Sequence, residues 1–111
     1  YPFQKTIERE GVTVEEARSN IDIGGPCMVR ASAKNYLRVA VTVDPEDYPG
    51  LIGSLEANSG RTSLEERFRY AQKAFAHTAE YDRRIMEYLG RKGASEVSDC
   101  YNIQPVNAGD E

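Results

Sequence analysis

The chain has 111 residues, 40% apolar and 29% charged, which is enough for one small domain of ordinary globular make-up. Eighteen acidic against 14 basic residues leave a net charge of −4, which argues against broad electrostatic binding to nucleic acid or an anionic membrane. A small phosphorylated ligand stays open, because a few aimed donors suffice to hold one.

No apolar run approaches the roughly 18 residues of a membrane span, and no basic stretch followed by an apolar one opens the chain. A cytoplasmic protein is therefore expected. The two cysteines, Cys27 and Cys100, lie far apart with no clustered His or Cys at metal-ligand spacing, so they read as free thiols.

Tyr1-Pro2-Phe3 reads as the end of a strand whose beginning precedes the chain. Thr13-Val14-Glu15-Glu16 is a capping box that starts a helix of about two turns, running to Ser19 or Asn20. Ile21-Asp22-Ile23 is too short for a strand of its own, and Gly24-Gly25 follows it. Pro26 suits a first helical position, where its missing N–H costs nothing. From Pro26 to Lys34 the side chains are mostly small, which lets this helix pack closely, and Asn35 is expected as a left-handed stop.

Residues 37–43, Leu-Arg-Val-Ala-Val-Thr-Val, form the one convincing strand, β-branched and covered on both faces by its pattern. Asp44-Pro45 ends it, and residues 49–58 return as a helix stopped at Gly60. Ser63 with Glu66 gives a second capping box. Leu64, Phe68, Ala71, Phe75, Thr78, Met86 and Leu89 then share one helical face, ended by Gly90. That helix is about 39 Å long at 1.5 Å per residue, long enough to reach a partner. Residues 91–111 are polar and irregular, a tail or linker. Strand, turn and helix in this order make an α/β pattern. One strand cannot form a sheet alone, so residues 1–90 are expected to be the second half of a larger α/β domain.

Asp22 stands just before Gly24-Gly25 and a helix start, where unpaired N–H groups and a partial positive charge suit an anion or a developing oxyanion. On local features alone, a plain cap is the better reading of Asp22. For Lys34 it is a solvated cation at a helix C-terminus. His77, the sole histidine, sits mid-helix among core positions and reads as structural. The charge runs Glu65-Glu66-Arg67 and Asp82-Arg83-Arg84 read as exposed helix pairs without function. No Walker loop, dinucleotide fingerprint or nucleophile elbow occurs.

Taken together, several segments resemble the cyclohydrolase domain of the bifunctional AICAR transformylase/IMP cyclohydrolase family. They are Tyr1-Pro2-Phe3 with Thr6, Gly11 to Ala17, Asn20 to Pro26 and Arg30 to Asn35. Val43-Asp44-Pro45 with Asp47-Tyr48, and Lys73-Ala74-Phe75 with His77-Thr78-Ala79 and Tyr81-Asp82, complete the series. Their order and spacing match the family from Tyr1 to about Leu89. Any one is weak, but the whole series is specific.

The resemblance implies a methylglyoxal-synthase-like fold, three layers α/β/α around a parallel sheet, with only its C-terminal half in this chain. It implies IMP cyclohydrolase activity, closing formyl-AICAR to IMP with loss of water in the last step of purine biosynthesis, with no metal or organic cofactor. Tyr1, Asp22 and Lys34 would be the catalytic side chains, and Ile23, Gly24 and Gly25 would line the substrate. Asp22 would take or relay the amide proton. Lys34 would hold Asp22 ionised, since an opposite charge within about 4–6 Å favours the charged form. Tyr1 would orient the carboxamide or donate to the developing oxygen.

A purine nucleotide is the implied ligand, a homodimer the implied assembly, and neither nucleic acid nor membrane an expected partner. The family's second catalytic lysine and its phosphate-binding loop belong to the first half of the domain, so these residues alone are expected to be inactive. The Arg-Tyr-Gly-x-Asn-Pro-His-Gln segment that introduces the family's transformylase domain is not in this chain, and Cys27 stands where Thr or Ser is expected. Methylglyoxal synthase shares the fold, but its aspartate and histidine signatures are not found here. A nucleotide-binding regulatory module of the same fold, without turnover, is the alternative.

Overall fold

In the computed structural model, which describes residues 3–102, every regular element is helical. The elements are α1 (Phe3–Glu8), α2 (Val14–Ser19), α3 (Gly24–Lys34), a 3-10 turn (Pro45–Asp47), α4 (Tyr48–Ala57), α5 (Leu64–Gly90), α6 (Ala94–Ser98) and a second 3-10 turn (Asp99–Asn102). Contacts divide the chain into two compact units: the residues up to Asp22 together with those from Arg84 onward, and Ile23–Arg83.

The expected three-layer α/β/α fold with its parallel sheet is overturned, because no described residue lies in a strand. The stretch 37–43 shows why. Past α3 the chain continues as a helical turn, with the N–H groups of Arg38 and Val39 both donating to the Asn35 carbonyl at 3.0 and 2.9 Å. Residues 39–44 then run without regular structure, because a β-ladder needs a neighbouring strand and none is present among the described residues. The β-branched side chains still pack: Val41 and Val43 are half-buried against a cluster of Ala33, Ala71 and Ala74. The segment expected to be covered on both faces is thus only partly buried, and Leu37 at its start is exposed. Phe3, read as the end of a strand, is instead the first residue of α1; Tyr1 and Pro2 lie outside the described residues.

In the first unit the Thr13 capping box forms as its sequence requires. The Glu16 N–H donates to Thr13 Oγ1 at 3.1 Å, and the Thr13 N–H donates to the Glu16 carboxylate at 3.2 Å. Phe3 meets Tyr88 edge-on at 5.8 Å between ring centroids, and the Lys92 ammonium sits 4.9 Å above the Tyr88 ring. Helix α6 and the turn after it occupy residues 94–102 of the segment expected to be a tail; its remainder, 103–111, lies outside the described residues.

In the second unit α3 packs on α5 through small residues. Ala33 and Ala74 are fully buried and Ala71 nearly so, which lets the two backbones approach. The buried side of α5 is therefore Glu66, Tyr70, Ala71, Ala74 and Thr78. Of the face read from the sequence, only Ala71 and Thr78 are buried. Leu64, Phe68, Phe75, Met86 and Leu89 are all exposed. Glu66 explains part of the shift. Its N–H takes the Ser63 hydroxyl as a cap at 3.1 Å, but its carboxylate turns inward to accept from Ser54 and Tyr70.

Helix α4 lies antiparallel to α5 and is clasped to it twice. Lys73 donates to Asp47 at 2.5 Å, and Ser54 donates to Glu66 at 2.9 Å. Glu66 and Lys73 are two turns apart on α5, and Ser54 lies seven residues after Asp47, the N-cap of α4, so one alignment serves both clasps.

Candidate functional site

Helix α3 carries most of the residues singled out for substrate and chemistry. Its N-cap, Ile23, is 69% exposed, adopts a helical backbone and makes no side-chain capping bond. The first intrahelical bond, Cys27 N–H to the Ile23 carbonyl at 3.1 Å, forms normally. The first turn of a helix carries partial positive charge, and Pro26 stands in it as the third residue, not the first as expected, without loss because no intrahelical acceptor exists for its missing N–H. Gly24 does not owe its identity to internal crowding: its φ is outside the left-handed region, and an added Cβ would meet nothing within 4 Å. The space beside Gly24 is open to a ligand approaching the backbone.

Lys34 is the last residue of the same helix. Eleven residues put it about 15 Å from Gly24 along the axis. It is exposed, and among the described residues it makes no hydrogen bond or ion pair. The residues on either side of it are anchored. Ala33 is fully buried against Ala71 and Ala74, and the ring of Tyr36 packs edge-on against Phe68 at 5.3 Å. Asp22 is half-buried at the end of the first unit's opening segment. Tyr1 lies outside the described residues. The structure therefore brings Ile23, Gly24 and Gly25 together at one end of α3 and holds Lys34 at the other.

Glu66 and Arg67, read from the sequence as part of an exposed charge run, and Lys73, given no role there, turn out to be engaged. Arg67 donates from all three guanidinium nitrogens to backbone and hydroxyl oxygens of Tyr36, Leu37 and Thr62. Glu66 is buried with two hydroxyl donors. Lys73 lies between Asp47 at 2.5 Å and Asp44 at 3.7 Å. The Asp47 hydrogen bond, with the charges of Asp47 and Asp44 behind it, holds the Lys73 ammonium above the ordinary lysine range. His77 was read as a structural, hydrogen-bonded residue. It is instead exposed and lines an open cleft of about 310 Å3 with Val43, Asp44, Pro45, Lys73 and Ala76. The contacts that tie Glu66, Arg67 and Lys73 to other elements have no local sequence signal, since they reach Ser54, Tyr36, Leu37 and Asp47, 12 to 31 positions away.

Both cysteines are free thiols, Cys27 exposed and Cys100 half-buried. No helix among the described residues is long and apolar enough to cross a membrane.

Comparison with known proteins agrees with the resemblance carried by the ordered segments. The family profile described as AICARFT/IMPCHase bienzyme matches residues 32–109. The bifunctional purine biosynthesis protein PurH of Listeria monocytogenes serotype 4b (strain CLIP80459) is 50% identical over 110 residues, covering 96% of this chain and 21% of its own length. PurH of Neisseria gonorrhoeae (strain NCCP11945) is 52% identical over 89 residues, 80% of this chain and 17% of its own. PurH of Listeria innocua is 49% identical over 110 residues. The chain spans about a fifth of the length of the curated relatives it matches. On this match, the chain belongs to the AICARFT/IMPCHase bienzyme family.

Proposed function

We propose that the chain forms part of the IMP cyclohydrolase portion of a bifunctional purine-biosynthesis enzyme, with the remainder of the domain supplied by residues outside it. Family membership supports the pathway. The observation that supports the assignment to cyclisation is the start of α3 at Gly24-Gly25, exposed at Ile23 and with open space where Gly24 would otherwise carry a side chain. Such a start offers backbone donors to a ligand's oxygens.

In the proposed reaction the carboxamide nitrogen of formyl-AICAR forms a bond to the formyl carbon. The formyl oxygen becomes a hydroxyl, and its loss as water leaves the closed ring of IMP. An amide nitrogen is a poor nucleophile, so its proton must be removed as the bond forms, and the developing oxyanion must be stabilised. Asp22 takes or relays the amide proton. Lys34 supplies positive charge to that exchange, Tyr1 orients the carboxamide or donates to the oxygen, and Ile23, Gly24 and Gly25 line the ligand. No step calls for a metal or an organic cofactor. The protein acts as a homodimer on a purine nucleotide.

The test is turnover by the complete protein that carries this chain. Formyl-AICAR is expected to be converted to IMP without added metal. Binding of IMP with no conversion of formyl-AICAR would overturn the enzymatic reading in favour of a regulatory nucleotide-binding module.

A further inference from the structure

We propose that Arg67 is the positioning residue for Lys34, locking the turn that follows it so that the lysine is presented from a fixed backbone; this rests on the role given to Lys34 above. Arg67 is half-buried on α5. Its Nε donates to the Tyr36 carbonyl at 3.0 Å and its Nη2 to the Leu37 carbonyl at 3.1 Å. Nη1 donates to the Thr62 carbonyl at 2.6 Å and to Thr62 Oγ1 at 3.0 Å. One planar group thus joins two turns, the one that ends α3 and the one that leads into α5.

The choice of acceptors is informative. Among the described residues Arg67 has no carboxylate partner, so its charge is directed at backbone carbonyls near the negative end of α3. Two carbonyls from successive residues match the rigid fork of a guanidinium, which a lysine, a point charge on a flexible stem, cannot span. Arg67 fixes residues 36 and 37, and Ala33 is sealed against Ala71 and Ala74 on the other side. Between these anchors only Lys34 and Asn35 face solvent. A reactive ammonium gains most from a fixed Cα, because its long side chain already has considerable freedom to lose.

The experiment compares Lys34→Ala, Arg67→Ala, Arg67→Lys and the Lys34→Ala/Arg67→Ala double variant in the complete protein. It reads turnover of formyl-AICAR, the Kd for IMP and thermal unfolding. Arg67→Ala is expected to lower kcat by about 10- to 100-fold, the scale of a catalytic group displaced by about an ångström. The Kd for IMP should change less than about twofold, since binding and turnover then separate. Millimolar methylguanidinium should restore part of the lost rate, Arg67→Lys should fall between Arg67→Ala and the parent, and the double variant should be no slower than Lys34→Ala alone.

A folded Arg67→Ala protein with parental turnover, beside an impaired Lys34→Ala, would overturn the positioning role while leaving that of Lys34 intact. So would multiplying effects in the double variant, or a loss of rate, binding and melting together in both Arg67 variants without rescue. Unchanged cyclisation in Lys34→Ala would overturn the role of Lys34 and the inference with it.

Discussion

Tyr70 donates its hydroxyl to the buried carboxylate of Glu66 at 3.0 Å, one turn away on α5, and Ser54 of α4 donates to the same oxygen at 2.9 Å. A buried carboxylate is tolerable only while hydrogen-bonded, so these two hydroxyls are what keep Glu66 inside. Tyr70→Phe removes one donor at nearly constant shape. It is expected to destabilise the chain by about 1–2 kcal/mol, the cost of leaving a buried acceptor short of a partner. Urea unfolding measures it, and an unchanged midpoint would show that solvent satisfies Glu66 instead.

The same pair sets a pH dependence at the alkaline end. Burial, then the hydrogen bond to Glu66, raises the Tyr70 phenol above its ordinary value of 10.0. A raised folded value means that this contribution is fully present below the unfolded pKa and is lost as pH rises through the folded one. The chain should therefore keep this stabilisation at neutral pH and lose it above about pH 10. Spectrophotometric titration of the tyrosines should show one phenol ionising late, together with unfolding. In Tyr70→Phe that late step should be gone.

Ala74 is fully buried where α3 meets α5. Ala74→Leu adds volume to a contact built from alanines and is expected to cost about 1–3 kcal/mol in unfolding free energy. A neutral result would mean that the helices separate without loss, contrary to the close contact described.

Gly24 separates folding from ligand binding. With open space around it and no left-handed φ, Gly24→Ala should leave stability unchanged or raise it by up to about 1 kcal/mol. In the complete protein the same change should weaken IMP binding if the proposed site is right, because the methyl would enter the open space beside the backbone. Unaltered IMP affinity, read by calorimetry, would remove the start of α3 from the binding surface.

What could be read from the sequence divides along physical lines. The Thr13–Glu16 capping box, the end of α3 at Lys34 and the extent of α5 up to Gly90 are local signals and appear as expected, whereas α3 starts at Gly24 rather than Pro26 and Asn35 ends it with a negative φ of −92°, not a left-handed one. The strand over residues 37–43 does not, because strand formation depends on a neighbour that local patterning does not encode. The buried side of α5 was misread for a related reason. Large apolar residues mark a face that can be buried, but within the described residues the small side chains at Ala71 and Ala74 make the contact. Of the proposed site, the glycines and Lys34 were visible as motifs. Arg67 was not, since its significance comes from carbonyls about thirty positions earlier.

The most direct measurement is turnover of formyl-AICAR by the complete protein carrying Asp22→Asn or Lys34→Ala, alongside its thermal unfolding. The account predicts that each variant loses at least about 100-fold in IMP formation, the lower range for a lost acid–base group, with its melting temperature unchanged. Parental turnover in both variants, or rate and stability falling together, would contradict it.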